Sequence, residues 1–392
     1  MPFTEVNASD KKRVVDVTMS PRVPATNPKP ANLASVCEDF SQRLRESGLD
    51  YGDDHEQVVR TFVVSLATKG FVIFSGLSGS GKSRLAIALG QWFGTRRVHV
   101  EAVRPDWNSP SALLGFENIA SETNDARYGW NVPRSLEFIL MAARDQNHPY
   151  LLVLDEMNLA HVEYYFADVL SGMESGQPMV PNLRHMAGLW RLPLDEVTYI
   201  PWPKNLLTVG TINVDETTYT FSPKVLDRAN TIEFRVPPGS LRSGAKAPRN
   251  VERGDPELVR VFLNRLLNKD PVFENAEAMS ESLEYLHRML YQYDFEFGYR
   301  LFRDALRFGS LMADAGEPDY RVALDHVIVQ KIIPKFENAE LSSPDALIAL
   351  AVLAFPELGN SEFVDVLHPP EGTPVLPNTF MRIQKISRRR QR

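Results

Sequence analysis

Gly76-Leu77-Ser78-Gly79-Ser80-Gly81-Lys82-Ser83 is a complete G-x-x-x-x-G-K-[ST] run. Its glycines let the backbone curl so that successive N–H groups point inward, the geometry that cradles an anion. Lys82 would bring a cation to the β- and γ-phosphates of a nucleotide, and the Ser83 hydroxyl would ligate Mg2+. The flanks suit that reading. Apolar Phe71-Val72-Ile73-Phe74 precedes the run as a strand, and Leu85-Ala86-Ile87-Ala88-Leu89 follows it as a helix whose N-terminus faces the same anion. All eight residues, Gly76 to Ser83, are therefore assigned to a phosphate site.

Leu151-Leu152-Val153-Leu154-Asp155-Glu156 is a second buried strand, ending in two carboxylates. Asp155 is expected to hold the Mg2+ together with Ser83. Glu156 is expected to polarise an attacking water as general base. A third strand, Leu206-Leu207-Thr208-Val209-Gly210-Thr211-Ile212-Asn213, ends in an amide that either hydrogen-bonds the γ-phosphate and the water or simply forms a turn. Arg228, in Val225-Leu226-Asp227-Arg228-Ala229-Asn230, sits where a neighbouring subunit's site would receive an arginine, and its alternative is an ion pair with Asp227. Arg300, at the start of a helical pattern after Phe297-Gly298, is either an in-cis sensor of the same phosphate or a solvated helix arginine.

The remaining chain fills in an α/β architecture. Strands are predicted at Phe71–Phe74, Val98–Ala102, Leu151–Leu154, Leu206–Gly210 and Thr231–Phe234, with helices at Ser83–Phe93, Arg134–Arg144 and Val162–Glu174. Strands alternating with helices call for a parallel sheet covered on both faces. Residues 1–33 are polar and Pro-rich and read as a flexible arm. Helical spacing from Val36 to Leu66 gives lead-in helices, so that the nucleotide-binding domain runs over 34–240. A Pro- and Gly-rich stretch at 237–256 closes it. Residues 257–392 then read as an all-α lid, with helices at Glu257–Leu267, Ser280–Tyr293, Tyr299–Ala313, Tyr320–Ile332 and Pro344–Leu353.

Composition narrows the classes. The chain is 43% hydrophobic and 24% charged, which is ordinary for a globular protein. Its net charge of −7 argues against a wholly basic nucleic-acid coat. The single cysteine, Cys37, excludes an internal disulfide and a cysteine-based metal site. No apolar run approaches a membrane span, and the N-terminus lacks the apolar core of a secretory signal, so a cytoplasmic protein without membrane attachment is expected. The arginines at 388, 389, 390 and 392 read as a solvated end.

Together these residues resemble the AAA+ motor family of McrB, the nucleotide-driven subunit of a modification-dependent restriction system. The likeness covers roughly residues 50–390. It rests on the P-loop, the continuation Asp155-Glu156-Met157-Asn158-Leu159-Ala160, and the Gly-Thr-Ile-Asn strand ending at Asn213. Three further blocks are similar to a subgroup found in bacterial defence operons: Val103-Arg104-Pro105-Asp106-Trp107, Asn213-Val214-Asp215-Glu216-Thr217-Thr218 with Phe221 to Arg228, and Gln330-Lys331-Ile332-Ile333-Pro334-Lys335.

The resemblance implies a ring, hexameric in the family's manner, that hydrolyses ATP or GTP with Mg2+. It also implies Asn213 as sensor, Arg228 as the interface arginine, Arg300 as second sensor, and a separately encoded McrC-like nuclease as partner. Glu216 takes the fourth place of a signature that reads Asn-x-x-Asp in McrB, with Asp215 one residue earlier, and Arg228 stands alone where McrB has a run of arginines. No Asn-Lys-x-Asp guanine selector is present, which leaves the base open and leans to ATP. The stretch before the first strand is too short for a DNA-reading domain, so DNA would be met through a partner or the central channel. The insertion between Glu174 and Lys204 carries Arg184, Trp190, Arg191 and Trp202, which would either grip a nucleic-acid strand or pack on their own domain. The alternative from another class is a MoxR-like remodelling ATPase acting on a protein partner.

Overall fold

The first strand is apolar from Phe71 to Phe74, as burial on both faces requires, and the rest of the sheet is laid down around it. In a computed structural model, residues 31–117, 130–176, 179, 201–214, 221–235, 249–268, 270–338, 343–360 and 364–390 are described. Helices α1 (Leu33–Glu46) and α2 (His55–Lys69) lead into strand β1 (Phe71–Gly76), helix α3 (Lys82–Phe93) and strand β2 (Val98–Ala102). Helix α4 (Ser111–Leu114), a two-residue strand pair β3 (Phe116–Glu117) and β4 (Trp130–Asn131), and helix α5 (Arg134–Arg144) follow. Strand β5 (Tyr150–Asp155), helices α6 (Val162–Tyr165) and α7 (Ala167–Ser175), strand β6 (Leu206–Asn213), helix α8 (Pro223–Arg228) and strand β7 (Asn230–Phe234) complete the α/β part.

The sheet is parallel throughout, in the order β2-β5-β6-β1-β7. Side chains alternate across it, as a strand's two-residue period demands. Phe71, Ile73, Leu152 and Leu154 enter a core with helices α4 to α8, whereas Val72, Phe74, Leu151 and Val153 enter a core on the opposite face. The register sets Gly76 beside Asn213 and brings the carboxyl ends of β1, β5 and β6 together.

Beyond β7 the described chain is helical: α9 (Pro256–Leu267), α10 (Ala276–Tyr291), α11 (Tyr299–Asp314) and α12 (Tyr320–Val327). Helix α12 continues through a π turn (Ile328–Ile332) into α13 (Ile333–Asn338), and α14 (Pro344–Ala354) and α15 (Pro377–Arg390) end it. Capping explains where several of these begin. Asp255 accepts from the Glu257 amide at 2.7 Å with Pro256 in the first turn, Asp319 accepts from Arg321, and Ser343 from Ala346 with Pro344 behind it. Helices α1, α2 and α3 share one continuous apolar core with α9 to α15. The C-terminal helices are thus packed directly onto the lead-in helices. Among the described residues no helix is long and apolar enough to cross a membrane.

Candidate functional site

Gly79 and Gly81 hold φ values of 73° and 91°, a left-handed backbone that side-chain-bearing residues avoid, and they bend the loop between β1 and α3. Gly76 is required for a second reason: a Cβ there would stand 2.6 Å from the Phe234 carbonyl oxygen. Lys82 opens α3 and is buried, its Nζ donating to the carbonyls of Gly76 at 3.0 Å and Leu77 at 2.7 Å.

From Lys82 a connected polar chain crosses the strand ends. Lys82 Nζ donates to Asn213 Oδ1 at 3.0 Å, and Asn213 Nδ2 donates to Glu156 Oε1 at 3.2 Å. The Glu156 amide donates to Thr211 Oγ1 at 3.0 Å, and that hydroxyl donates to Asp155 Oδ1 at 2.7 Å. Ser83 Oγ reaches the same Asp155 oxygen at 2.6 Å. Asn213, which the sequence left between a sensor and a turn, is therefore bonded to both Lys82 and Glu156. Glu156 itself has φ 54° and ψ 47°, a left-handed conformation that costs a non-glycine residue about 1–3 kcal/mol. Thr211 holds the amide end of that strained step, and the Leu159 amide, donating to the Glu156 carbonyl at 2.9 Å, holds the other.

Ser83 and Asp155 offer a hydroxyl and a carboxylate side by side. Hard oxygen donors of this kind suit Mg2+, which usually takes one or two protein ligands and completes its shell with water and phosphate oxygens. The donor set fits that ion.

The predicted arginines lie together. Arg228 and Arg300 both pair with Glu174, one on each carboxylate oxygen. Arg228 also donates from Nε to the Leu170 carbonyl at 3.2 Å and from Nη1 to that of Lys224 at 2.8 Å. Asp227 does not pair with Arg228; its carboxylate meets Lys335 Nζ at 3.0 Å. Arg300 is thereby joined to Arg228. Glu174 is held below the usual carboxylate range, first by its hydrogen bond from Arg300 and then by the charge of Arg228. Glu216 and the insertion residues Arg184, Trp190 and Arg191 lie outside the described residues. Trp202 packs on its own domain, its Nε1 donating to the Leu206 carbonyl at 3.1 Å and its ring edge-on to Phe166.

Two participants are not singled out by the sequence, Thr211 and Glu174. Thr211 could have been, since it lies two residues before Asn213 and shares its face of the strand. Glu174 carries no local signal, because its partners Arg228 and Arg300 are distant in the chain. Gly210 belongs with Met157: a Cβ at 210 would overlap the methionine sulfur, so the glycine makes room for the residue after the two acids.

Residues 259–392 match the family described as "Domain of unknown function (DUF8727)". No curated protein matches the chain in sequence. Among solved structures the chain is similar to a protein of Cytophaga hutchinsonii described as a "putative ATPase", at 15% identity over 76% of this chain and 88% of that one, with a TM-score of 0.50. It is also similar to a full-length MCM homolog from Methanopyrus kandleri, at 13% identity over 80% of this chain and 63% of that one, with a TM-score of 0.43. The first likeness and the strand order bear out the expected fold, an α/β AAA+ sheet flanked by helices with a helical part after it.

Proposed function

On this AAA+ frame, we propose that the chain is a nucleoside triphosphatase that works as a ring. The observation that carries the reading is the unbroken chain of hydrogen bonds from Lys82 through Asn213, Glu156, Thr211 and Asp155 to Ser83. The P-loop amides and Lys82 bind and orient the phosphates. Ser83 and Asp155 would hold Mg2+, which would supply charge neutralisation at the phosphate oxygens. Glu156 takes the proton of the attacking water, with Asn213 steering its carboxylate. Glu216 belongs to the same water-positioning signature by resemblance. Arg228 stabilises charge on a neighbouring subunit's nucleotide, and Arg300 senses phosphate.

The reading extends to a motor or regulatory subunit of a McrBC-like restriction or antiphage complex that activates a separate nuclease, in a hexameric ring. The three sequence blocks similar to that subgroup support this. Two of them have visible structural tasks: Trp107 is buried edge-on against Tyr165 at 5.2 Å, and the block containing Lys331 holds the Arg228 turn. The test is turnover of ATP and GTP with Mg2+ by the purified chain, alone and with the products of neighbouring genes. DNA-stimulated turnover with cleavage by a partner nuclease supports the restriction role. Stimulation by a protein partner without DNA supports the MoxR-like remodelling ATPase in its place. Absence of turnover under all these conditions would refute the hydrolytic reading.

A further inference from the structure

Among the described residues Lys331 is the most deeply placed lysine outside the phosphate site, only 6% exposed. It lies in the π turn, a wide turn of a kind that occurs frequently at functional sites, and its neighbour Gln330 is buried as well. Its Nζ donates to the carbonyls of Leu226 at 2.9 Å, Asp227 at 3.0 Å and Ala229 at 2.5 Å. An ammonium has three hydrogens and here meets three acceptors, so its donors are fully used. Lys69 adds a second tie to the Asp227 carbonyl at 2.6 Å while pairing with Asp304 on α11, and Lys335 holds the Asp227 carboxylate.

Lys331 and Lys69 thus hold the peptide group before Arg228 through the Asp227 carbonyl, Lys331 also holds the Ala229 carbonyl one residue on, and the Ala229 amide, donating to the Val225 carbonyl at 3.1 Å, holds the peptide group after Arg228. Once they are fixed, the Cα–Cβ direction of residue 228 is fixed too, and with it the sector its guanidinium sweeps. A buried ammonium is costly, and an apolar side chain of the same length would fill the space without that cost. Burial, and after it the charge of Lys69, presses the Lys331 pKa well below the usual lysine value. A lysine kept here against that cost is explained if the three carbonyls around its Nζ must be held.

We propose that Lys331 is a positioning residue for Arg228, aiming that arginine at the neighbouring subunit's nucleotide and coupling it to the C-terminal helices of its own subunit. The inference rests on the reading that Arg228 acts in trans.

The test uses mixed rings of full-length chains. Glu156→Gln subunits serve as donors, with an intact Arg228 but no turnover of their own. Arg228→Ala subunits serve as acceptors, with an intact hydrolytic site. Mixing them should restore Mg2+–ATP turnover in the acceptors. Adding Lys331→Met to the donor should lower the restored turnover about ten- to a hundredfold, the scale of a small misplacement of a catalytic group. Adding it to the acceptor should leave restored turnover unchanged, and binding of a fluorescent ATP analogue should be equal in both. Size-exclusion chromatography confirms that mixed rings form. If Lys331→Met does not fold, the partly exposed Lys335→Met takes its place, with a smaller loss expected in the donor arm alone. Equal losses in both arms, or none in the donor arm, would overturn the proposal. No restoration with the unmodified donor would overturn the trans reading of Arg228, and the inference with it, and this outcome is visible before Lys331 is touched.

Discussion

Asn213 donates from Nδ2 to Glu156 Oε1 at 3.2 Å, so the residue ending one strand holds the carboxylate that follows the end of the next. The bond spans two strands whose register is fixed by five paired positions, from Tyr150↔Leu206 to Leu154↔Gly210. A change at either residue is therefore expected to act on hydrolysis before it acts on folding.

Glu156→Gln should keep nucleotide binding and lower kcat by about 10²–10⁴-fold, the range of a lost general base. Lys82→Ala should lose binding itself. Equilibrium binding and steady-state turnover on the two variants separate these effects, and turnover near wild type in the glutamine variant refutes the assignment of Glu156.

Asn213→Ala should lower kcat while leaving Kd for the nucleotide within a few-fold, because Lys82 keeps its bonds to the Gly76 and Leu77 carbonyls. A rise in Kd that matches the fall in kcat/KM would instead make Asn213 a binding residue.

Removal of Mg2+ by EDTA should abolish turnover, and Asp155→Ala should raise the Mg2+ concentration needed for half-maximal rate. An Asp155→Ala variant with an unchanged Mg2+ profile would show that the metal is held elsewhere.

Gly210→Ala should destabilise the fold by about 1–3 kcal/mol through overpacking against Met157. Met157→Ala in the same chain should recover part of that loss, since the two side chains would no longer compete. Denaturant melts of the single and double variants give the coupling directly.

Cys37 offers a probe of α1 docking. It is buried, and burial pushes its thiol up to about 12, so at neutral pH it is protonated and shielded. Alkylation should be slow in the native protein and fast once α1 separates from α2 and α9. Rapid modification under native conditions would mean that α1 is not held as described.

Much of the fold and of the site is legible in the sequence. The five sheet strands are short apolar runs with polar ends, and burial on both faces leaves no other reading for β1 and β5. The P-loop, Asp155 and Glu156 are equally legible because their chemistry needs fixed residue types at fixed spacing. The misses share a physical origin. Helix α8 has six residues between Ser222 and Ala229, too few to show a period. Helix α15 carries four arginines that mask the buried stripe of Phe380, Ile383 and Ile386. The predicted helix over Val162–Glu174 breaks at Phe166, and Tyr320–Ile332 widens into a π turn at its end, since both follow tertiary demands that periodicity does not carry. The shared hold of Arg228 and Arg300 on Glu174 joins residues 126 positions apart in the chain, and no local pattern reports it.

Among the described residues strand β7 is an outer strand of the sheet, paired with β1 alone. Its Glu233 is gripped by Arg382 and Lys385 of α15, and Arg235 reaches Met381 on the same helix. An open strand with free amides and carbonyls is a template on which a second chain can add. Helix α15 stands as a guard against that misassembly. A chain cut before Pro377 should keep its phosphate-binding residues yet lose colloidal behaviour, gathering into β-rich aggregates.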